Sequence, residues 1–318
     1  MTDPHPAYTD LPPAPAGGRS AWAVFADPDV GALTLQTPER IAAAARLVRK
    51  GAMFALQAPL DVIDPGMFTR SPPRHTRIVR PGARSLDDVI DNFFPQVSSQ
   101  WDALGHVGYR PGEFFGGATL DDLAGGSRSV RQLAERGIAG RGVLLDAEAV
   151  LPTLHPDYHP GASFPITPDD LEACREAAGL TYRRGDVLVL NSGFLRWYRD
   201  QPAAAKAAMA PRDRLTTTGI EHTERMAEYL WNAGISAIVS DLPATETWPP
   251  DESVAAEPFG FLHRILLGQL GIVIGELFHL QDLVDDSRAD GVHESFLVGA
   301  TLNIAGAVGS TANALALK

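Results

Sequence analysis

Short, almost uniformly apolar runs recur along this chain. Four of them have no polar position in the middle: residues 142–146, 185–191, 235–239 and 272–276. Such runs indicate strands that are buried on both faces, as in a parallel sheet covered by helices. Two further runs, 52–56 and 296–304, also predict strands.

Helix-like segments separate these strands. The Thr-Pro pairs at 37–38 and 167–168 each combine a natural N-cap with a residue that suits the first helical position. The predicted helices span 37–48, 130–137, 167–178 and 220–232, with a short one within 85–94. The repeated order of helix, glycine and strand predicts an α/β body. Residues 1–20 are rich in Pro, Ala and Gly and predict a flexible N-terminal arm over the body or over a second subunit, and residues 21–318 predict one domain.

A polar stretch at residues 95–109 interrupts this pattern. Gln96, Gln100, Asp102 and His106 fall within eleven positions, and each can offer a lone pair to a cation. If residues 96–102 are extended, alternate side chains lie on one face and converge. The alternative is a polar loop in which these side chains only form hydrogen bonds with backbone groups.

Two ionisable residues near the C-terminus lie inside apolar segments. Burying His263 and Glu276 costs several kcal/mol unless they are paired, hydrogen-bonded or metal-bound. A structural pair is one explanation. Together with the polar stretch, they favour a shared site.

Aromatic residues accompany the polar positions. As a group they suggest a pocket for a flat or apolar substrate, although core packing explains any single one. The candidate substrate-binding residues are Trp101, Tyr109, Phe114, Phe115 and Trp248. His155 and His159 have the spacing of a helical metal site, but Pro156 and Pro160 favour a loop there.

Composition and missing motifs exclude several functions. The formal net charge of −12 argues against nucleic acid or an anionic membrane surface as the main partner. A single cysteine, no secretory pattern and no long apolar run predict a cytoplasmic protein without a membrane span. The nucleophile elbow, the phosphate loop and the His-Glu-x-x-His motif are absent from the sequence.

The stretch Ser99-Gln-Trp-Asp-Ala-Leu-Gly-His106 resembles the signature of the putative cyclase family of metal-dependent hydrolases, which includes kynurenine formamidase and isatin hydrolase. The family motif is His-x-Gly-Thr-His-x-Asp-x-Pro-x-His, and its four ligand-type positions correspond to Gln96, Gln100, Asp102 and His106. His263 and Glu276 match the family's C-terminal pattern. The resemblance implies a single-domain swivelling β/β/α fold with a barrel-like mixed sheet and surrounding helices. It also suggests a homodimer or homotetramer.

The sequence departs from the family motif at two positions. Gln96 and Gln100 replace two histidines that bind the metal in formamidase-type members, a pattern that resembles a longer branch of the family. An amide oxygen suits Mn²⁺, Mg²⁺ or Ca²⁺ more than Zn²⁺. Two ligand sets remain open. One is Gln96, Gln100 and Asp102, and the other is Asp102, His106, His263 and Glu276, which is an ordinary set for Mn²⁺ or Zn²⁺.

The resemblance implies a hydrolase that opens or cleaves an amide, lactam or lactone, with one divalent ion as cofactor. His106 is the expected general base, while His263 and Glu276 bind the ion or orient water. The substrate is expected to be a small cyclic or aromatic carbonyl compound, selected by the loops at 57–82, 107–126, 151–166 and 241–258. The alternatives are a cyclase or dehydratase that acts on a polyketide-like intermediate, and a diverged binding protein without turnover.

Overall fold

A computed structural model describes residues 5–318 and has mixed α/β secondary structure. The strands are β1 (Met53–Ala55), β2 (Arg74–Val79), β3 (Leu86–Asp91), β4 (Gln100–Asp102), β5 (Glu113–Phe114), β6 (Ala118–Thr119), β7 (Ile138–Asp146), β8 (Pro165–Ile166), β9 (Val187–Asn191), β10 (Gly219–Ile220), β11 (Ala237–Ser240), β12 (Val273–Glu276), β13 (Glu294–Gly299), β14 (Gly309–Thr311) and β15 (Ala314–Leu317). The helices are α1 (Pro38–Ala45), α2 (Leu120–Ala124), α3 (Val130–Arg136), α4 (Ala147–Leu154), α5 (Pro168–Ala177), α6 (Phe194–Arg199), α7 (Ala203–Met209), α8 (Glu224–Asn232), α9 (His263–Leu266) and α10 (Gln281–Asp290). Among residues 5–318, no helix has the length and apolar character needed to cross a bilayer.

Nine strands form one sheet in the order β1-β15-β13-β7-β9-β11-β12-β4-β14. The sheet curls into a half-barrel with helices around it, which confirms the predicted fold class. The four central strands, β7, β9, β11 and β12, are parallel, and the other pairings in this sheet are antiparallel. They correspond to the four almost uniformly apolar runs of the sequence, and each residue of β9, β11 and β12 is buried.

The helix starts follow the predicted capping chemistry. The hydroxyl of Thr167 accepts a hydrogen bond from the backbone N–H of Asp170, whose carboxylate accepts one from Thr167 in return. Thr37 caps α1 in the same way through the backbone N–H of Arg40. In both helices a proline occupies the first turn, where its missing N–H costs no intrahelical bond.

The predicted short helix within 85–94 is wrong, since this segment forms β3. It pairs with β2, which lies inside the predicted loop at 57–82, and the two strands make a hairpin separate from the main sheet. Residues 81–83 form the turn, and Gly82 adopts the left-handed conformation (φ 79°) that favours glycine. The β-branched residues Val89 and Ile90 fit a strand better than a helix.

Residues 5–20 lie against the body. Tyr8 and Leu11 are buried, and the backbone N–H of Tyr8 donates to the side chain of Asn232 (2.9 Å). His5 stacks on Trp231 at a ring distance of 4.3 Å. The flexibility that we predicted for this arm stays a prediction, and its residues 1–4 lie outside the described residues.

An ion cluster around Arg141 links β7 with β13 and with the residue that precedes β9. The guanidinium of Arg141 in β7 donates two hydrogen bonds to Asp186 (2.9 and 2.6 Å) and one to Glu294 (2.5 Å). Arg141 and Asp186 are both buried. The cluster therefore ties β13 and the start of β9 to β7.

Replacing Arg141 by methionine should lower the free energy of unfolding by about 3–5 kcal/mol, because Asp186 is left as a buried charge without its cation. Urea denaturation of wild type and variant measures this loss. Arg131→Met is the matched control, since Arg131 forms an exposed pair with Glu135 (2.8 Å) whose removal should cost less than about 1 kcal/mol. Equal losses in the two variants would contradict the role of the buried cluster.

Candidate metal centre and its cavity

Two neighbouring strands present carboxylates on one face of the sheet. β4 lies between β12 and β14 and is antiparallel to both. Its register pairs Gln100 with Glu276, so these side chains share a face, and Asp102 lies two positions along on the same face. Asp102 and Glu276 thereby come together beneath one cavity.

His263 completes this group. It begins the short helix α9, and its Nε2 lies 3.1 Å from Oε1 of Glu276. One ligand atom each from Asp102, His263 and Glu276 lies within 4.8 Å of the others, and all three residues are buried. We call these three residues the metal cluster.

Glu246 fixes the orientation of the His263 ring. Its carboxylate pairs with Nδ1 of His263 and also accepts a hydrogen bond from the backbone N–H of Leu262. Burial alone would lower the pKa of His263, but Glu246 and Glu276 raise it well above its ordinary value. A carboxylate on Nδ1 leaves Nε2 to face the cluster, as in many metal-binding histidines.

The environment of Asp102 indicates whether a cation fits this cluster. Its Oδ1 is buried and has no hydrogen-bond partner among the described residues. Burial raises the pKa of Asp102, partly offset by His106, and the Glu276 carboxylate raises it further. A buried carboxylate oxygen without a partner is costly unless a cation binds it. Two carboxylates and an imidazole are a suitable donor set for a divalent transition-metal ion.

Gln100 holds the cluster by its amide nitrogen. Nε2 donates to Glu276 (2.8 Å) and lies 3.3 Å from Oδ2 of Asp102, while Oε1 accepts from the guanidinium of Arg70 (3.4 Å). An arginine can only donate, so this contact places the amide oxygen toward Arg70 and the NH₂ group toward the carboxylates. Of the two ligand sets that the sequence left open, the geometry favours the second, which comprises Asp102, His106, His263 and Glu276. Three of its four members, Asp102, His263 and Glu276, lie together, and His106 is not in this group.

The other two predicted ligand residues flank the cluster. Nε2 of His106 lies 3.7 Å from Oδ1 of Asp102, and Nδ1 of His106 lies 3.5 Å from Nε2 of Gln96. Burial lowers the pKa of His106. Gln96 is in a 3₁₀ turn and not in the predicted strand, which covers only residues 100–102. Gln96 thus contacts His106 and does not belong to the face of β4 that carries Gln100 and Asp102.

A cavity of about 290 Å³ opens next to the cluster. His263, Glu276 and His106 form its polar floor. Its walls combine aromatic and cationic side chains: Phe68, Trp248, Phe261, Arg70 and Arg212. Phe261 stacks on the His263 ring at 4.9 Å, so the aromatic wall touches the cluster.

A larger cavity of about 420 Å³ lies beside Asn191, Asp241 and His279. None of the predicted site residues lines it. The volume of a cavity does not by itself identify an active site. The smaller cavity has the buried ionisable groups expected of one. We therefore place the candidate site at the smaller cavity.

Of the five predicted substrate-binding aromatics, the structure brings only Trp248 to this cavity. Trp101 points to the opposite face of β4 from Gln100 and Asp102, because successive residues of a strand alternate. Its indole N–H donates to the carbonyl of Ala312 (3.0 Å), and its ring packs on Phe278. Trp101 is therefore a core residue.

The remaining three aromatics pack elsewhere in the protein. The hydroxyl of Tyr109 donates to Glu113, and its ring lies 5.0 Å from that of Trp22. Phe114 packs in a small cluster with Leu123, and Phe115 in the main core. Their sequence proximity to His106 indicated a pocket, but the chain turns away after residue 107. His155 and His159 also lie away from the cavity, and His155 pairs with Asp170 (2.6 Å).

Sequence reasoning missed Glu246, Arg70 and the cavity residues Phe68, Arg212 and Phe261. Glu246 and Arg70 lie in the loops at 241–258 and 57–82, to which we assigned specificity in general terms. The sequence around a single charged residue in a proline-containing loop does not show whether that residue is buried beside a site or exposed to solvent. For Phe261, its position two residues before His263 was the available clue.

Comparisons with known proteins agree with this fold. The model of the putative cyclase family matches residues 36–247. A crystal structure described as a novel cyclase is 30% identical, with a TM-score of 0.80, and the match covers 94% of this chain and 99% of that chain. No curated protein sequence matches this chain significantly.

Two isatin hydrolase A structures share the fold at lower identity. The enzyme from Labrenzia aggregata, bound to benzyl benzoate, is 17% identical with a TM-score of 0.58, covering 86% of this chain and 94% of that chain. The enzyme from Ralstonia solanacearum is 17% identical with a TM-score of 0.59, covering 88% of this chain and 97% of that chain. The family model and the 30% identical structure together establish that this chain belongs to the putative cyclase family.

Proposed function

We propose that this protein is a metal-dependent hydrolase that opens or cleaves an amide, lactam or lactone carbonyl. The observation that carries the proposal is the buried metal cluster next to an aromatic-lined cavity, with an Asp102 oxygen that accepts no hydrogen bond from the described residues. Perturbed ionisable groups at a cavity of this kind are typical of active sites. The relationship to isatin hydrolase supports the fold and makes a cyclic aromatic carbonyl compound the first class to test.

Asp102, His263 and Glu276 would hold one divalent ion, with Mn²⁺ or Zn²⁺ as the first candidates and Mg²⁺ as a further one. Such an ion, when bound, polarises a carbonyl oxygen and makes water a better nucleophile at neutral pH. Glu246 orients the His263 ring, and Gln100 donates hydrogen bonds to the carboxylates of the cluster. These contacts preorganise the donor set before a substrate arrives.

His106 is the proposed general base. Its imidazole lines the cavity and lies beside Asp102, where it can accept a proton from an attacking water. Phe68, Trp248 and Phe261 would take the apolar part of the substrate. The cavity volume of about 290 Å³ suits a small aromatic compound.

Arg70 is the proposed donor to the substrate carbonyl. Its guanidinium donates to the backbone oxygen of Gln96 (2.8 Å) and to Gln100, lines the cavity and has further N–H groups to offer. It forms no ion pair with a carboxylate among the described residues. A preformed donor at this position would stabilise negative charge that develops on the carbonyl oxygen.

Arg70→Lys should lower kcat/KM by about 10²-fold with metal content unchanged, because one ammonium cannot reproduce the guanidinium fork. Steady-state kinetics on the metal-loaded protein measures the effect. Arg131→Lys is the matched control, since Arg131 lies outside the cavity, pairs with Glu135 at the surface (2.8 Å) and should change kcat/KM by less than about threefold. Similar kinetics for Arg70→Lys and wild type would exclude the proposed role.

The reaction itself can be tested with three probes: isatin as a lactam, an aryl formamide, and an aromatic lactone. The protein is loaded with Mn²⁺ or Zn²⁺ and assayed in ¹⁸O-labelled water. We expect turnover of at least one probe, with one labelled oxygen in the product, and none after chelation. A product without label would favour the cyclase or dehydratase alternative. Metal-free protein that binds these aromatics without turnover would favour the binding-protein alternative.

A further inference from the structure

Two arginines line the cavity beside the metal cluster, although the chain has a formal net charge of −12. Arg70 and Arg212 lie on its walls. Among its described lining residues, Glu276 is the one carboxylate, and it belongs to the metal cluster. A cavity walled by two arginines favours a substrate that carries a negative group.

The two arginines are held in different ways. Arg70 is turned toward the metal cluster, because its guanidinium donates to the backbone oxygen of Gln96 (2.8 Å) and to Oε1 of Gln100 (3.4 Å). Arg212 also lines the cavity, but its side chain is 52% exposed. Within the described part of the chain it forms no hydrogen bond or ion pair with the metal cluster. Arg212 therefore lies where the cavity meets solvent, away from the reacting carbonyl.

Trp248 holds Arg212 at this position. The guanidinium carbon of Arg212 lies 4.6 Å from the centre of the Trp248 ring, and the indole N–H donates to the backbone oxygen of Arg212 (3.1 Å). A guanidinium that stacks on an aromatic face keeps its N–H groups at the edge, in the geometry that binds a carboxylate. The same ring is part of the aromatic wall that would take the apolar part of a substrate.

Glu252 shows that the Arg212 guanidinium can receive a carboxylate. The two side chains pair at 2.8 Å, and both are more than half exposed. An exposed pair of this kind contributes little to stability, so a competing carboxylate can displace it. The guanidinium has five N–H groups, and a substrate can also bind those that Glu252 leaves available.

We propose that Arg212 determines specificity by binding a carboxylate of the substrate. This proposal rests on the proposed function and names its substrate class, an aromatic amide, lactam or lactone that carries a carboxylate on the ring. The carboxylate lies at the opening of the cavity, and the reacting carbonyl lies at Arg70 and the metal cluster. A cavity of about 290 Å³ has room for one ring with such a substituent. The contact forms when the substrate binds, so it lowers KM more than it raises kcat.

The test compares two forms of each of the three probe classes, the isatins, the aryl formamides and the aromatic lactones. One form carries a carboxylate on the ring, and the other carries an uncharged carboxamide of similar shape at the same position. Each available ring position is tried. Steady-state kinetics on the metal-loaded wild type should give a kcat/KM at least about tenfold higher for the carboxylate form, as expected for a hydrogen bond between charged groups. We call this ratio the carboxylate preference.

Two substitutions of Arg212 should change the carboxylate preference in a defined direction. Arg212→Gln should lower it by at least about tenfold, mainly through a higher KM for the carboxylate form. Arg212→Glu should reverse it and favour a probe with an aminomethyl substituent, a result that a folding defect does not produce. Glu252→Gln is the matched control, since it removes the same ion pair but leaves the arginine, and it should keep or raise the preference.

The outcomes separate this proposal from the proposed function. Wild type that hydrolyses both forms equally well would overturn the carboxylate site and leave the hydrolase function intact. A preference that Arg212→Gln retains would also overturn it, because the carboxylate would then bind elsewhere. If no probe is hydrolysed, the proposed function fails, and calorimetric titration with the same probes decides. Wild type should then bind the carboxylate form at least about tenfold more tightly, and Arg212→Gln should lose this difference. Equal binding of both forms by wild type would overturn the carboxylate site as well.

Discussion

Asp102→Asn should purify without its divalent ion and lose at least about 10³-fold in kcat/KM, because the ion supplies several kcal/mol of transition-state stabilisation. The substitution preserves the shape of the side chain but removes the negative charge. It also replaces a carboxylate oxygen by an NH₂ group, which can only donate, although Gln100 already donates to the carboxylates of this cluster. Elemental mass spectrometry on protein purified without chelator measures the ion, and about one equivalent per chain is expected in wild type.

Asp241→Asn is the control for this experiment. Asp241 is also buried at the end of a central strand, but its carboxylate accepts hydrogen bonds from Ser192 (2.8 and 2.7 Å) and lies outside the cluster. It should retain the ion. If Asp102→Asn kept one equivalent of metal and its activity, the cluster would not be the metal site.

His106→Ala should lower kcat by about 10²–10⁴-fold while the protein keeps its metal, as expected for loss of a general base. Metal retention separates this role from direct coordination, because a ligand variant would lose ion and activity together. His155→Ala removes a histidine that pairs with Asp170 outside the cavity and should leave kcat unchanged. A loss below about threefold for His106→Ala would exclude His106 as the base.

Much of the fold could be predicted from the sequence because its central strands are mostly apolar. The runs at 142–146, 185–191, 235–239 and 272–276 correspond to β7, β9, β11 and β12, in which apolar residues predominate and polar residues are few. The hairpin was missed for the opposite reason. Its residues are exposed and mixed in polarity, so no periodicity distinguished β3 from a short helix.

The candidate site was predictable where burial and charge conflict. His263 and Glu276 each stand in an apolar stretch of the sequence, Asp102 stands in the polar stretch at 95–109, and the resemblance to the cyclase family linked them. The role of Gln100 was not predictable, since the direction of an amide depends on Arg70, which is brought to it by the fold. Trp101 lies in the core because it stands between two ligand-type positions of β4, and successive side chains of a strand alternate between its two faces.

The pairing of β4 with β12 has a consequence for folding. Gln100 and Glu276, which face each other across these strands, are 176 positions apart in the chain. Such a contact closes a long loop, and its entropic cost is offset only after the intervening α/β units have condensed. The metal cluster therefore cannot form before β12 is available, and we expect a nascent chain to lack the metal-binding geometry until β4 and β12 have paired.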